Sequence, residues 1–86
     1  MRIDLFLKLM GFTKTRMTAK RLCEAHRVLY QGQPVKPSME LSGGEEFLLF
    51  FPQKEIRAKV LGIPPLKSVS KKDRGLYVWF QENQIV

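Results

Sequence analysis

The side chains in this sequence with the clearest chemistry are cations. Residues 13 to 27 read TKTRMTAKRLCEAHR, with five Lys or Arg (Lys14, Arg16, Lys20, Arg21, Arg27) against one acid, Glu24. Arg2 and Lys8 stand upstream of this stretch and Lys36 downstream. Cations fixed in space bind phosphate well, because ordering a long side chain only on binding costs conformational entropy. Arg is favoured where two parallel hydrogen bonds must meet a phosphate. The stretch therefore poses a structural question: does a rigid element hold these charges on one surface?

Catalytic constellations are not found. A nucleophile needs a base in reach, and the single histidine, His26, falls at an apolar position of a helical pattern, so a core or helix-end role is expected. The single cysteine, Cys23, allows no internal disulfide and reads as a small buried hydrophobe. Asp4, Glu24, Glu40, Glu45 and Glu46 show neither an HExxH spacing nor a paired-carboxylate spacing, and no phosphate loop or dinucleotide fingerprint occurs. The expectation is a protein with no catalytic residues, no metal, no cofactor and no small-molecule substrate.

Charge points the same way. The chain of 86 residues carries a formal net charge of +7 with a pI near 9.9. Residues 1–40 hold eight Lys or Arg against three Asp or Glu, and residues 41–86 hold seven against five, so the excess is concentrated in the first half. A basic domain with its charge gathered in one region has the electrostatic footprint of a nucleic-acid binder. Asp4 and Lys8 interrupt the apolar N-terminus, and no run approaches the ~20 apolar residues that span a bilayer. The expectation is a single cytoplasmic domain, monomeric when free, with no membrane partner.

The elements that must position the cations follow from periodicity. Ile3, Phe6, Leu7 and Met10 recur at i, i+3, i+4 and i+7, an amphipathic helix with Gly11 as its stop. Thr13 or Thr15 can cap a second helix that buries Ala19, Leu22, Cys23 and His26. At about 100° per residue, Arg16, Lys20 and Arg27 fall within one narrow arc beside that apolar stripe, while Arg21 points elsewhere. Thr15 and the free N–H groups at the start of this helix add a further anion site.

Beyond Arg27 the period shortens. Val28–Tyr30 reads as a strand, 31–33 as a turn and Gly43-Gly44 as a second turn. Phe47–Phe51 reads as an apolar strand, joined by a hairpin at 52–54 to a strand with Ile56, Ala58 and Val60 facing inward. Residues 62–75 read as a long loop carrying Lys67, Lys71, Lys72 and Arg74, and Leu76–Phe80 as the last strand. The strand aromatics are expected to pack in the core, with one face near Trp79 left open. The sum is an α+β domain: two short N-terminal helices packed on a small antiparallel sheet.

Those residues in order resemble a family. Arg2-Ile3-Asp4, Leu7, Lys14-Thr15-Arg16, Ala19-Lys20, Arg27-Val28, Gly32, Val35-Lys36-Pro37-Ser38 and Gly44-Glu45 are similar to the RNA-binding domain of small-subunit ribosomal protein four, the S-four domain. Three positions depart: His26 stands where the family has glycine, Gln31-Gly32 where it has Asn-Gly, and Gly44-Glu45 where it has Gly-Asp. Gln31 weakens a two-residue type I′ turn, and a histidine enters the left-handed region more readily than a β-branched residue.

Within the family the chain resembles small stand-alone members of a heat-shock-protein branch and of a bacterial ribosome-quality-control branch. The resemblance implies the S-four fold with its αL motif, a motif core at about 1–50 and a sheet extension over 51–86. It implies a non-catalytic, ribosome-associated protein that binds large-subunit ribosomal RNA and peptidyl-tRNA. It places the RNA contact on Arg2, Lys14, Arg16 and Lys20, with Lys8, Arg21, Arg27 and Lys36 as additions to which the Thr15 anion site is joined, and gives Asp4 the task of orienting Arg2 or capping the first helix. Two alternatives stay open from the residues alone: an accessory subunit that delivers RNA to a separate enzyme, and a DNA-binding or protein-interaction module.

Overall fold

The structure, a computed structural model, describes residues 1–66 and 68–85. Helix α1 spans Ile3–Leu9 and helix α2 spans Arg16–Glu24. Five strands follow: β1 Val28–Tyr30, β2 Gln33–Pro34, β3 Glu46–Phe51, β4 Lys54–Val60 and β5 Val78–Gln84. They form one antiparallel sheet in the order β2-β1-β3-β4-β5.

The core forms where α1 meets one face of this sheet. Ile3, Phe6 and Leu7 of α1, Ala19 and Cys23 of α2, and Val28, Leu49 and Val60 of the sheet are fully or almost fully buried. Burying each large aliphatic or aromatic side chain contributes about 1.5–3 kcal/mol. Phe6 and Phe47 meet edge to face, their ring centres 6.3 Å apart. The strict alternation of Ile56, Ala58 and Val60 with exposed Arg57 and Lys59 holds along β4.

Both helices end in the same way. Gly11 has φ +80, the Phe12 N–H donates to the Leu7 carbonyl and the Gly11 N–H to that of Lys8. His26 has φ 60, the Arg27 N–H donates to the Leu22 carbonyl and the His26 N–H to that of Cys23. These are paired Schellman ends, with the left-handed residue at C′.

The structure corrects several expectations. His26 is exposed beyond α2 rather than buried on its apolar face, because α2 stops at Glu24. For the same reason Arg27 leaves the helical arc and leads into β1, its carbonyl accepting the Phe50 N–H. Gln33 belongs to a two-residue strand instead of a turn, and the loop is Gln31-Gly32 alone, with φ 53 and 79. Two positive φ values across a two-residue loop are the type I′ signature, so glutamine has been accommodated there. The long loop ends in a 3-10 helix, Lys71–Leu76, and the last strand starts two residues later than expected and runs four residues further. Of the strand aromatics, Phe47 is buried, whereas both Trp79 and Phe80 are exposed. Lys67 lies outside the described residues.

Candidate nucleic-acid interface

The site is built around a carboxylate. Asp4 sits in the first turn of α1 with its side chain only 3% exposed. Its Oδ2 lies 3.1 Å from Arg2 Nη2, and its Oδ1 accepts from Arg2 Nε at 3.3 Å and from the Leu5 N–H at 2.8 Å. The same Oδ1 pairs with Arg16 Nε at 3.3 Å. One buried acid thus holds two guanidinium groups from different elements. Their side chains remain 43% and 47% exposed. Arg16 is held through Nε, and among the described residues neither of its Nη groups nor Arg2 Nη1 has a hydrogen-bond partner. Arginine forks fixed at their base and open at the tip suit phosphate oxygens. The sequence pointed to Asp4 as a partner for Arg2; its pairing with Arg16 is a contact between α1 and α2 that no local spacing reveals.

Thr15 sets the start of α2. Its Oγ1 accepts the Thr18 N–H at 3.1 Å and lies 2.9 Å from the Thr18 hydroxyl. Thr15 rather than Thr13 is the N-cap, and Thr13, buried, donates its hydroxyl to the Thr15 carbonyl at 2.9 Å. The N–H groups of Arg16 and Met17 belong to the first turn, whose donors have no partner within a helix, beside the positive end of the helix dipole.

The loop after β2 closes over the start of α1. The Pro37 carbonyl accepts the Asp4 N–H at 3.3 Å and the Met39 carbonyl accepts the Ile3 N–H at 2.8 Å. Two orphan donors of the helix are satisfied this way, and Lys36 directly precedes the Pro37 that caps Asp4. Lys8 follows Asp4 by one turn on the same flank of α1, and Lys14 precedes the Thr15 cap. Lys8, Lys14, Lys20, Arg21, Arg27 and Lys36 are all exposed, and none forms an ion pair among the described residues. Arg2, Asp4 and Arg16 meet through ion pairs, and Lys8 and Lys14 line one hollow beside the turn between the helices; Lys20 stands one turn after Arg16 on α2, whereas Arg21 lies about 140° around α2 from Arg16 and Arg27 lies past its end.

The titrations that shift are structural. Burial pushes the Cys23 thiol up to about 11, with the charges of Asp4 and Glu24 adding to the effect, so the thiol stays protonated near neutral pH. At Glu45, partial burial alone would raise the carboxyl. It is outweighed by hydrogen bonds from the Ser42 and Gly43 N–H groups, at 2.8 and 2.7 Å, and from the Ser42 hydroxyl, which hold the group below its usual range. Among the described residues no group of three or more His, Cys, Asp or Glu could hold a metal ion, and no helix is long and apolar enough to cross a membrane.

The S4 domain family model matches residues 1–47, and the chain belongs to the S4 domain family. It is 37% identical over 78 residues to a Helicobacter pylori protein named RQC P-site tRNA stabilizing factor, covering 91% of this chain and 93% of that one. It is 30% identical to the Bacillus subtilis protein of the same name, over 99% of this chain and 98% of the other. Among solved structures it is similar to the trimeric structure of Vibrio cholerae Heat Shock Protein 15, with a TM-score of 0.82 and 25% identity over 96% of this chain and 81% of that one.

Proposed function

We propose that this chain is a non-catalytic RNA-binding protein that associates with the large ribosomal subunit in translation quality control, contacting ribosomal RNA and the P-site tRNA of a stalled complex. The observation that carries this reading is the pair of arginines, Arg2 and Arg16, held by buried Asp4 with their forks open to solvent. Lys8, Lys14 and Lys20 extend the same basic surface, with Lys36 beside it; Arg21 and Arg27 add charge at its margins. The names of the Helicobacter and Bacillus relatives support tRNA as one ligand. The residues matched by the family would form the gripping core, at about 1–50, and the rest of the sheet an extension of one RNA-binding unit. Recognition would be of shape and phosphates in folded RNA rather than of sequence. The protein would work in the cytoplasm, on ribosomes.

Sedimentation of tagged protein through sucrose gradients, at low and high salt, tests this. The parent is expected to travel with large subunits at low salt, and an Arg2→Ala/Arg16→Ala variant to stay at the top. A parent that stays at the top at both salts contradicts the ribosomal reading, and a variant that still travels with the particles contradicts the assignment of the surface.

A further inference from the structure

The 3-10 helix Lys71–Leu76 brings a second set of cations to the turn between α1 and α2. A hollow of about 390 Å³ there is lined by Lys8 and Lys14 from the helical side and by Lys71 and Arg74 from the 3-10 helix. No carboxylate is among its described lining residues. The Asp73 carboxylate faces another hollow and accepts from the Ser70 hydroxyl at 2.9 Å.

Arg74 is unusually placed. Its guanidinium lies on the Gly11 backbone: a Cβ at that position would stand 2.6 Å from Arg74 Cζ and clash with Nη1. Its Nε is buried and donates to no acceptor among the described residues. Arg74, Lys71 and Gly11 also line a second hollow of about 400 Å³, whose walls are apolar: Met10, Phe12, Phe51 and Phe80. The Phe12 and Phe80 rings meet edge to face at 5.3 Å, and Phe80 is 51% exposed. The one acid in its described lining, Glu82, is paired with Lys54 at 3.2 Å. A basic hollow and an aromatic hollow therefore share one wall, the Arg74 guanidinium.

We propose that this double hollow takes one unpaired nucleotide of bound RNA, its phosphate in the Lys8–Lys14–Lys71–Arg74 half and its base against Phe80 in the aromatic half. The inference rests on the RNA-binding reading above. The two hollows are each of a size that holds a small ligand, within the usual range of about 300–1,000 Å³. Unpaired bases stack on aromatic side chains, and their backbones follow basic grooves. A paired base cannot reach Phe80 in this way, so the site distinguishes looped from fully duplex RNA. Lys8 and Lys14 link it to the arginine pair, so a strand gripped by Arg2 and Arg16 can continue into it.

The test uses the full chain and two labelled probes, an RNA hairpin with an unpaired loop and a fully paired duplex of equal length. Affinity is measured against salt for the parent, Lys71→Ala/Arg74→Ala, Lys71→Glu, Phe80→Ala, Phe80→Leu and Arg16→Ala. Lys71→Glu, at an exposed position, and Phe80→Leu, which keeps an apolar side chain against Phe12, guard against misfolding. Loss of the grip on this phosphate is expected to flatten the salt slope by up to about 0.7, in Lys71→Ala/Arg74→Ala and in Lys71→Glu alike. Both Phe80 substitutions are expected to weaken hairpin binding about fivefold or more and to leave duplex binding unchanged. An unchanged slope in the Lys71/Arg74 variant, or an unchanged hairpin-to-duplex ratio in both Phe80 variants, overturns the site. If Arg16→Ala still weakens binding in that case, the RNA-binding reading stands and this inference alone fails. A parent that binds neither probe overturns both.

Discussion

Asp4 opposes the charge of the surface it organises, and this makes it the sharpest probe at the scale of single residues. Replacing it by asparagine raises the net charge, so a surface that bound RNA by charge alone would bind more tightly. If the carboxylate works by fixing Arg2 and Arg16, Asp4→Asn instead weakens RNA binding, because the two forks must then be ordered on binding. A stability loss of about 1–2 kcal/mol is also expected, since charge-assisted hydrogen bonds are lost but the half-exposed guanidiniums regain water. Binding titration with thermal unfolding checks both signs; tighter binding by Asp4→Asn contradicts the positioning role.

Glu45 gives a pH dependence at the same scale. Its carboxyl is held below 4.5 in the folded state by the Ser42 and Gly43 donors, so the unfolded chain takes up a proton first as pH falls. The stability it contributes is full above about pH 4.5 and is lost as pH drops through the lower folded value. Glu45→Gln is expected to lower the melting temperature at neutral pH and to narrow its gap from the parent in melts taken from pH 6 down to pH 3. A gap that stays constant over that range would contradict this.

At the scale of elements, the helix ends decide where the cations stand. His26 occupies a left-handed position that glycine fills without strain. A side chain there costs about 1–2 kcal/mol, while glycine carries about 0.5–1 kcal/mol of extra unfolded-state freedom. The net expectation is that His26→Gly stabilises the protein by about 0.5–1 kcal/mol, read as a rise of a few degrees in melting temperature, with Arg16-dependent RNA binding unaltered. A fall in melting temperature would mean that the imidazole makes a compensating contribution.

The elements with several turns or alternations were the legible ones. The i, i+3, i+4, i+7 stripe of α1, the alternation in β4 and the apolar run of β3 each carry enough positions to declare a period. The stripe of α2 was overextended to His26 because periodicity persists past a Schellman end that the sequence marks elsewhere with glycine, as at Gly11. Strand β2 has only two residues and includes Pro34, and the 3-10 helix spans six, too few for a period to stand out.

At the scale of the whole molecule, the sheet determines which basic residues meet. The β4–β5 ladder, continued by the Leu61 N–H to the Tyr77 carbonyl at 2.7 Å, returns the chain so that Lys71 and Arg74 stand beside Lys8 and Lys14. More than fifty residues separate these partners in sequence. Net charge located the basic half of the chain and could not show this meeting, since contacts between distant segments leave no local spacing. The Asp4–Arg16 pair is hidden for the same reason: the sequence offers Asp4 as a partner for Arg2 and Arg16 as a phosphate contact, and only the packing of α1 on α2 joins the two.

The most direct measurement is the salt dependence of binding to purified large subunits carrying peptidyl-tRNA, for the parent and for Arg2→Ala/Arg16→Ala. Each phosphate contact adds about 0.7–0.9 to the slope of log affinity against log salt. If the Asp4-held arginines are the grip, the variant binds more weakly and its slope is shallower by about 1.4–1.8. Equal affinity and an equal slope for the two proteins would contradict the account.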